Sequence, residues 1–153
     1  MKKYVLTTLT VLWMGVIFWF SSKPALESSS MSNNVIDNTI IKICQIVKGD
    51  LNDKQIANIR KIVSRPVRKL GHFTVYFILG LLVVSMFKSY GIKNRIIIYA
   101  SIVCFIYALS DEIHQFFVDG RSCEILDVIL DTFSSTFSIM LIEINNRKMA
   151  CKN

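Results

Sequence analysis

The apolar positions of the chain group into four long runs that carry few or no charges, with polar segments between them. We predict helices at about 4–20, 72–88, 95–117 and 124–144. The first run has 17 residues and no charge, the lower limit for crossing a hydrocarbon core about 30 Å thick. Lys2 and Lys3 precede this run, as in a cleaved signal peptide, but no small-x-small cleavage site follows it. We therefore predict a retained membrane helix.

The second and third runs are each only about 15 strictly apolar residues long, so each alone is also consistent with a buried core helix. However, 52% of the 153 residues are hydrophobic and only 19% are charged, whereas soluble domains average about 25% charged. This composition excludes a disordered chain, and four such runs leave too little polar chain to cover a soluble core. The pattern therefore predicts an all-α integral membrane four-helix bundle, a single domain over residues 1–153.

The polar loop at 21–71 contains two further amphipathic patterns. Serines at 28–32 offer caps for a short helix that ends at Gly49-Asp50. One face of this helix carries Ile36, Ile40, Ile43 and Val47. Asn52 or Asp53 is expected to cap a second helix, which should stop before Pro66. We expect a helical extracytoplasmic loop that lies on the membrane interface or caps the bundle.

The net charge is +7, from 18 Lys and Arg against 11 Asp and Glu. This charge suits nucleic acid or an anionic membrane surface, and the apolar excess favours membrane lipids as partners and no nucleic acid. Cytoplasmic loops of membrane proteins generally carry the excess of Lys and Arg, but placing both termini in the cytoplasm puts eight basic residues inside and ten outside. Nine of those ten lie in a loop of about 50 residues, close to the length beyond which the charge of a loop no longer affects orientation. The short loops therefore favour cytoplasmic termini.

Nearly all the unusual polar residues fall at helix ends that share one membrane side, whichever the orientation. Asp111 and His114 are three apart, and Asp127 and Asp131 are four apart, so each pair shares a helix face. Ionisable residues at membrane depth are costly and generally functional. The candidate catalytic residues are His72, Asp111 and His114. The candidate ligand-binding residues are Ser22, Arg68, Lys69, Glu112, Gln115, Arg121, Asp127 and Asp131.

Several roles suit this set. A buried ion-pair network that fixes the order of the helices is the purely structural alternative. A histidine oriented by Asp111 or Asp127 would be a general base, with Arg68, Lys69 and Arg121 holding a phosphate. The same cations would also bind an anionic head group or a glycopeptide without chemistry. A serine nucleophile at position 21, 22 or 110 is an alternative, although serines at helix ends are usually caps.

The cysteines and metal-binding spacings add little to this interpretation. No HExxH or CxxC spacing is present, so we predict no metal and no cofactor. Cys44 and Cys123 would share the outer side and are candidates for a disulfide. Cys104, in the middle of the third run, is expected to pack in the core.

Four sequence blocks resemble the VanZ-like family of bacterial membrane proteins. These are Phe18-x-x-Ser21-Ser22-x-Pro24, Arg68-Lys69-x-x-His72-x-x-x-Tyr76, Ala108-Leu109-Ser110-Asp111-Glu112-x-His114-Gln115-x-Phe117 and Gly120-Arg121 followed by Asp127. They match in order and position over most of the chain outside residues 28–64. The fourth helix departs from the family, in which it is often glycine-rich, because it carries the segment Ser134 to Ser138.

The resemblance implies a multi-pass protein of the bacterial cell envelope, associated with resistance to teicoplanin-type glycopeptides. We expect it to bind an anionic lipid or a lipid-linked cell-wall component at its outer face. The alternative is a membrane enzyme, a hydrolase or transferase acting on a lipid head group.

Overall fold

The computed structural model describes residues 1–48, 51–121 and 123–150, and within these ranges the regular structure is entirely helical. The element order is α1 (Lys2–Ser21), α2 (Ala25–Val35), a π-helix (Ile36–Ile41), α3 (Lys42–Lys48), α4 (Asp53–Ser89), α5 (Ile96–Phe116) and α6 (Ile125–Ala150). The all-α prediction is confirmed. The four predicted long helices correspond to α1, the second half of α4, α5 and α6.

In the described part of the chain, four helices are long and apolar enough to cross a membrane: α1, α4, α5 and the part of α6 from Ile125 to Lys148. Large apolar side chains project from the outside of the bundle. Val11, Leu12 and Phe133 are each 61% exposed, which would be costly over such an extended surface in water. An apolar exterior around a partly polar interior fits a hydrocarbon solvent.

α4 runs through Pro66, so the prediction that a short helix stops before this proline was wrong. The start is as expected, since the backbone N–H of Asn52 donates to Gln55 Oε1 at 2.9 Å in the manner of a capping box. Proline removes one helical N–H, whose acceptor would be the carbonyl of Ile62. Ile62 is 65% exposed, so the loss falls on the surface of the helix and α4 continues.

The segment before α4 differs from the predicted single helix with one apolar face. It begins at Ala25 rather than at the serines, and the Ala25 N–H donates to the carbonyl of Asp119 at 3.2 Å. A π-helix interrupts it and places residues five apart on the same side, so that Ile36 and Ile41 are buried while Ile43 is 56% exposed. The predicted break at Gly49-Asp50 lies outside the described residues.

The π-helix packs against α4, where Arg60 forms a bidentate ion pair with Asp37 at 2.6 and 2.9 Å. The segment therefore caps one end of the bundle, one of the two predicted arrangements. Its position on a membrane interface stays a prediction.

α4 and α6 form the main packing interface of the bundle. Gly80 of α4 faces the serine segment of α6, and a Cβ added there would overlap Ser138 Oγ and the backbone oxygen of Ser135. The close approach that a glycine-rich fourth helix would allow is thus supplied by a glycine on the partner helix. Ser134 donates to the carbonyl of Phe73 across the same interface.

The core of the bundle comes from all four long helices, with α4 and α5 contributing equally and more than α1 or α6 among the described residues. Its buried apolar members include Ile17, Tyr76, Leu79, Val83, Ala100, Cys104 and Ile139. Cys104 is fully buried, as predicted. Cys44 and Cys123 are both free, so the candidate disulfide between them is not formed.

Candidate functional site

The end of α1, the middle of α4, the end of α5 and the start of α6 meet at one end of the bundle, as the sequence pattern predicted. Asp111 of α5, 3% exposed, joins three of them. Its Oδ2 accepts hydrogen bonds from Ser21 Oγ at 2.8 Å, Gln115 Nε2 at 3.1 Å and Tyr76 Oη at 3.2 Å. Three donors on one carboxylate oxygen tie α1, α4 and α5 together. Asp111 is therefore a positioning residue of this end of the bundle.

His72 is paired with Asp131, and not with Asp111 or Asp127 as the sequence suggested. His72 Nδ1 lies 3.5 Å from Asp131 Oδ2, and the two side chains are 15% and 3% exposed. The reason is register along α6: Asp131 lies one turn deeper than Asp127, level with the ring, while Asp127 reaches Lys69. The Asp131 carboxylate therefore lies beside one ring nitrogen, without a hydrogen bond to it among the described residues, and Nε2 is the nitrogen left for a ligand.

Lys69 and Glu112 are both occupied by contacts within the protein. Lys69 Nζ lies 2.6 Å from Asp127 Oδ1 and 3.8 Å from Glu124 Oε2. Glu112 Oε1 accepts the backbone N–H of Glu124 at the start of α6. These contacts fasten α4 and α5 to α6, as the purely structural alternative requires. Both side chains therefore have a structural role in holding the helices together, and their predicted ligand-binding role stays a prediction.

His114 lies apart from His72, on the side of α5 that faces α1. Its ring stacks on Phe18, with centroids 4.2 Å apart, and its Nε2 lies 3.1 Å from Ser22 Oγ. The Ser22 hydroxyl donates its one hydrogen to the Phe18 carbonyl at 2.8 Å, so His114 Nε2 must be the donor in the second bond. A histidine that donates to a serine does not activate it. Ser21 and Ser110 likewise donate to Asp111 and to the Tyr107 carbonyl.

A partly open cleft of about 280 Å³ lies beside this polar network, between α1, α2 and α4. Its polar wall contains Lys23, Arg68, His72 and Arg121, together with serines of α1 and α2. Its apolar wall contains Ile17, Phe20, Met31, Val35, Val67 and Val75. None of the lining residues in the described part of the chain is Asp or Glu. The cleft therefore combines positive charge with an apolar surface.

Arg121 is the most unusual of the cleft cations. Its Nε and Nη1 atoms are buried and have no hydrogen-bond partner among the described residues. Burial, followed by the nearby charge of Arg68, lowers the pKa of the Arg121 guanidinium from its ordinary value, against weaker opposing effects of Asp111 and Glu112. An arginine stays protonated despite such a shift, so the group is a charge that lacks an acceptor.

The other two basic residues of the cleft differ from each other. Arg68 forms no ion pair within the ranges 1–48, 51–121 and 123–150. Lys23 is engaged, because its Nζ lies 2.7 Å from Glu27 Oε1 and 4.8 Å from the centre of the Trp19 ring. Two guanidinium groups therefore remain available to an anion.

The described residues include no group of three or more His, Cys, Asp or Glu side chains placed to hold a metal ion. The site combines hydrogen-bonded carboxylates behind the cleft with two guanidinium groups, those of Arg68 and Arg121, in its lining.

Comparison with known families bears on nearly the whole chain. The VanZ/LLP1 family model matches residues 6–146. The chain belongs to the VanZ/LLP1 family. Searches of curated proteins and of solved structures found no match.

In this VanZ/LLP1 protein, the site residues predicted from the sequence divide into three groups. Arg68, His72 and Arg121 line the cleft. A second group forms the network behind it: Lys69, Asp111, Glu112, Gln115, Asp127 and Asp131. Ser22 and His114 form a separate pair next to Phe18.

Sequence reasoning missed Lys23 and the wall supplied by α2. α2 reaches the site because Ala25 is hydrogen-bonded to Asp119 in the loop between α5 and α6, 94 positions later in the sequence. A hydrogen bond between residues so far apart in the sequence cannot be predicted from a local sequence pattern. The one available signal was Lys23 itself, a basic residue directly after the first span.

Proposed function

We propose that this VanZ/LLP1 protein is a multi-pass protein of the bacterial cell membrane that binds an anionic lipid or a lipid-linked cell-wall component. The binding site is the cleft, placed at the outer face, and both termini are cytoplasmic. The observation that carries the proposal is the pair of guanidinium groups, Arg68 and Arg121, facing an apolar wall with no carboxylate in the described lining. Arginine pairs with phosphate bidentately, and an acyl chain suits the apolar wall.

The shape of the cleft supports an amphiphile over a free anion. About 280 Å³ is far more than a phosphate group needs, and the remaining space borders apolar side chains of α1, α2 and α4. A head group at Arg121 would therefore place its chain between α1 and the cap formed by α2, next to the lipid-facing surface.

We further propose that occupancy of the cleft alters susceptibility to teicoplanin-type glycopeptides, because these drugs act on lipid-linked cell-wall material. Membership in the VanZ/LLP1 family supports this link. The test is drug susceptibility of a sensitive bacterial strain that produces the wild-type protein, Arg121→Gln or Arg65→Gln at equal membrane levels. Arg65 is an exposed arginine of α4 outside the cleft and is the matched control.

We expect the wild-type protein and Arg65→Gln to reduce susceptibility equally and Arg121→Gln to lose the effect. Equal protection by all three would contradict the role of the cleft. No protection by the wild-type protein would contradict the link to glycopeptides and leave lipid binding to be judged by direct measurement.

A membrane enzyme acting on a lipid head group is the second candidate, favoured by the His72–Asp131 pair at the cleft. An imidazole oriented in this way is the usual general base, and the two arginines would stabilise charge on a phosphate. Analysis of membrane lipids from cells with and without the protein separates the two functions, since only an enzyme leaves an altered head group.

A further inference from the structure

The charges around the cleft limit which phosphate would fit it best. Lys23 is offset by Glu27, and Lys69, outside the cleft, is offset by Asp127. Of the charged side chains that line the cleft, this leaves Arg68 and Arg121, while the carboxylates of Asp111, Glu112 and Asp131 lie behind the lining. A phosphodiester lipid carries one negative charge at neutral pH, whereas a phosphomonoester carries about −1.5 to −2. Two guanidinium groups therefore match a monoester more closely than a diester.

The cleft also contains a group that can share the second proton of a monoester. His72 lines it, with Nδ1 turned to Asp131 at 3.5 Å. Imidazole titrates near neutral pH, in the same range as the second proton of a phosphomonoester, about pH 6. A diester has no such proton to give. Arginines alone would bind either phosphate, so His72 is the feature that separates the two.

Resting on the proposed function, we propose that the cleft selects a lipid with a terminal phosphomonoester, held by Arg68 and Arg121, with one proton shared between a phosphate oxygen and His72 Nε2. Transfer of this proton converts the monoanionic head group and neutral imidazole into a dianion and an imidazolium. The Nδ1–H of the imidazolium faces the Asp131 carboxylate. No phosphorus–oxygen bond forms or breaks in this step.

The test compares the same lipid with and without one methyl group. The full chain in detergent is titrated by calorimetry with dioctanoyl phosphatidic acid, with its methyl ester dioctanoyl phosphatidylmethanol, and with dioctanoyl phosphatidylcholine. The methyl ester keeps the acyl chains and one negative charge but has no second proton. We expect phosphatidic acid to bind at least about tenfold more tightly than the methyl ester, equivalent to about 1.4 kcal/mol. The methyl ester should bind more tightly than phosphatidylcholine.

The outcomes distinguish the two levels of the proposal. If phosphatidic acid and its methyl ester bind equally, and both bind better than phosphatidylcholine, monoester selection is overturned and anionic lipid binding stands. If all three bind equally or none binds, anionic lipid binding itself is overturned.

Variants assign the selection to His72. His72→Gln, confirmed to be folded by circular dichroism, should bring the ratio of the two affinities close to one while changing affinity for the methyl ester little. His114→Gln, a histidine outside the cleft lining, should keep the ratio of the wild-type protein. An unchanged ratio in His72→Gln would overturn the assignment to this residue. If His72→Gln does not fold, Asp131→Asn makes the same comparison, because it keeps the imidazole and removes the carboxylate that orients it.

Discussion

Gly80 offers a quantitative test of the α4–α6 interface, which aligns His72 with Asp131. In Gly80→Ala the added methyl group would overlap Ser138 Oγ and the backbone oxygen of Ser135, and would lie 2.9 Å from Ser135 Cα. A hydroxyl can rotate away, but two of these three atoms belong to the backbone of α6. The helices must separate to make room.

Two opposing contributions set the size of the effect. Alanine is favoured over glycine inside a helix by about 1 kcal/mol. Overpacking of a dense interior costs about 1–3 kcal/mol, and the backbone overlaps place Gly80→Ala at the upper end. We therefore expect a net loss of about 1–2 kcal/mol in the free energy of unfolding. For a chain of 153 residues this corresponds to a Tm about 5 °C lower.

The assay is thermal unfolding in detergent with a thiol-reactive fluorophore. Cys104 is fully buried and reacts only when the bundle opens, while Cys123 is exposed and gives the starting signal. Gly15→Ala is the matched control, because nothing lies within 4 Å of the added carbon, and it should leave Tm unchanged or raise it. If Gly80→Ala also raises Tm, the close approach of α4 and α6 is refuted.

Three further predictions concern the site and its side of the membrane. In Asp111→Asn, the amide oxygen has two lone pairs for the three donors that converge on Oδ2, so at least one hydrogen bond is lost. The same thermal assay should show that the free energy of unfolding falls by about 1–2 kcal/mol. An unchanged Tm would contradict the three-donor arrangement. In the folded protein, Cys123 should react with maleimide within minutes and Cys104 should not, as read by mass spectrometry of peptides; comparable rates would contradict the burial of Cys104. With the exposed Cys123 replaced by serine, Asp119→Cys should be labelled in intact cells by a membrane-impermeant maleimide, and labelling only after the cells are opened would place the cleft on the cytoplasmic side.

The four long helices were predictable because hydropathy over about 20 residues reports the solvent around a helix directly. The gathering of the polar residues at one end was predictable for a topological reason: an even number of crossings brings alternate helix ends to the same side. Neither conclusion depends on side-chain detail.

Pairing within the site was not predictable, because it depends on the axial and rotational register of one helix against another. Asp127 and Asp131 differ by one turn, about 6 Å along α6, and the packing of α4 against α6, closest at Gly80 and the serine segment, determines which of them faces His72. Helix spacing places both carboxylates on the correct face. It does not set their depth relative to α4.

The region before α4 departed most from expectation for local reasons. Proline is a strong stop signal in sequence patterns, yet Pro66 removes a single hydrogen bond at an exposed position of α4. The π-helix is rare, and its five-residue spacing replaces the spacing from which the apolar face was read. α2 is held by a backbone bond to Asp119, which no local pattern contains.

The occupancy of the cleft by lipid tests the central claim most directly. Native mass spectrometry of the protein, extracted from its own membrane in mild detergent, should show one anionic phospholipid bound per chain. Arg65→Gln should retain this lipid, and the double variant Arg68→Gln, Arg121→Gln should lose it. A wild-type protein without bound anionic lipid, or a double variant that retains it at the wild-type level, would contradict the account.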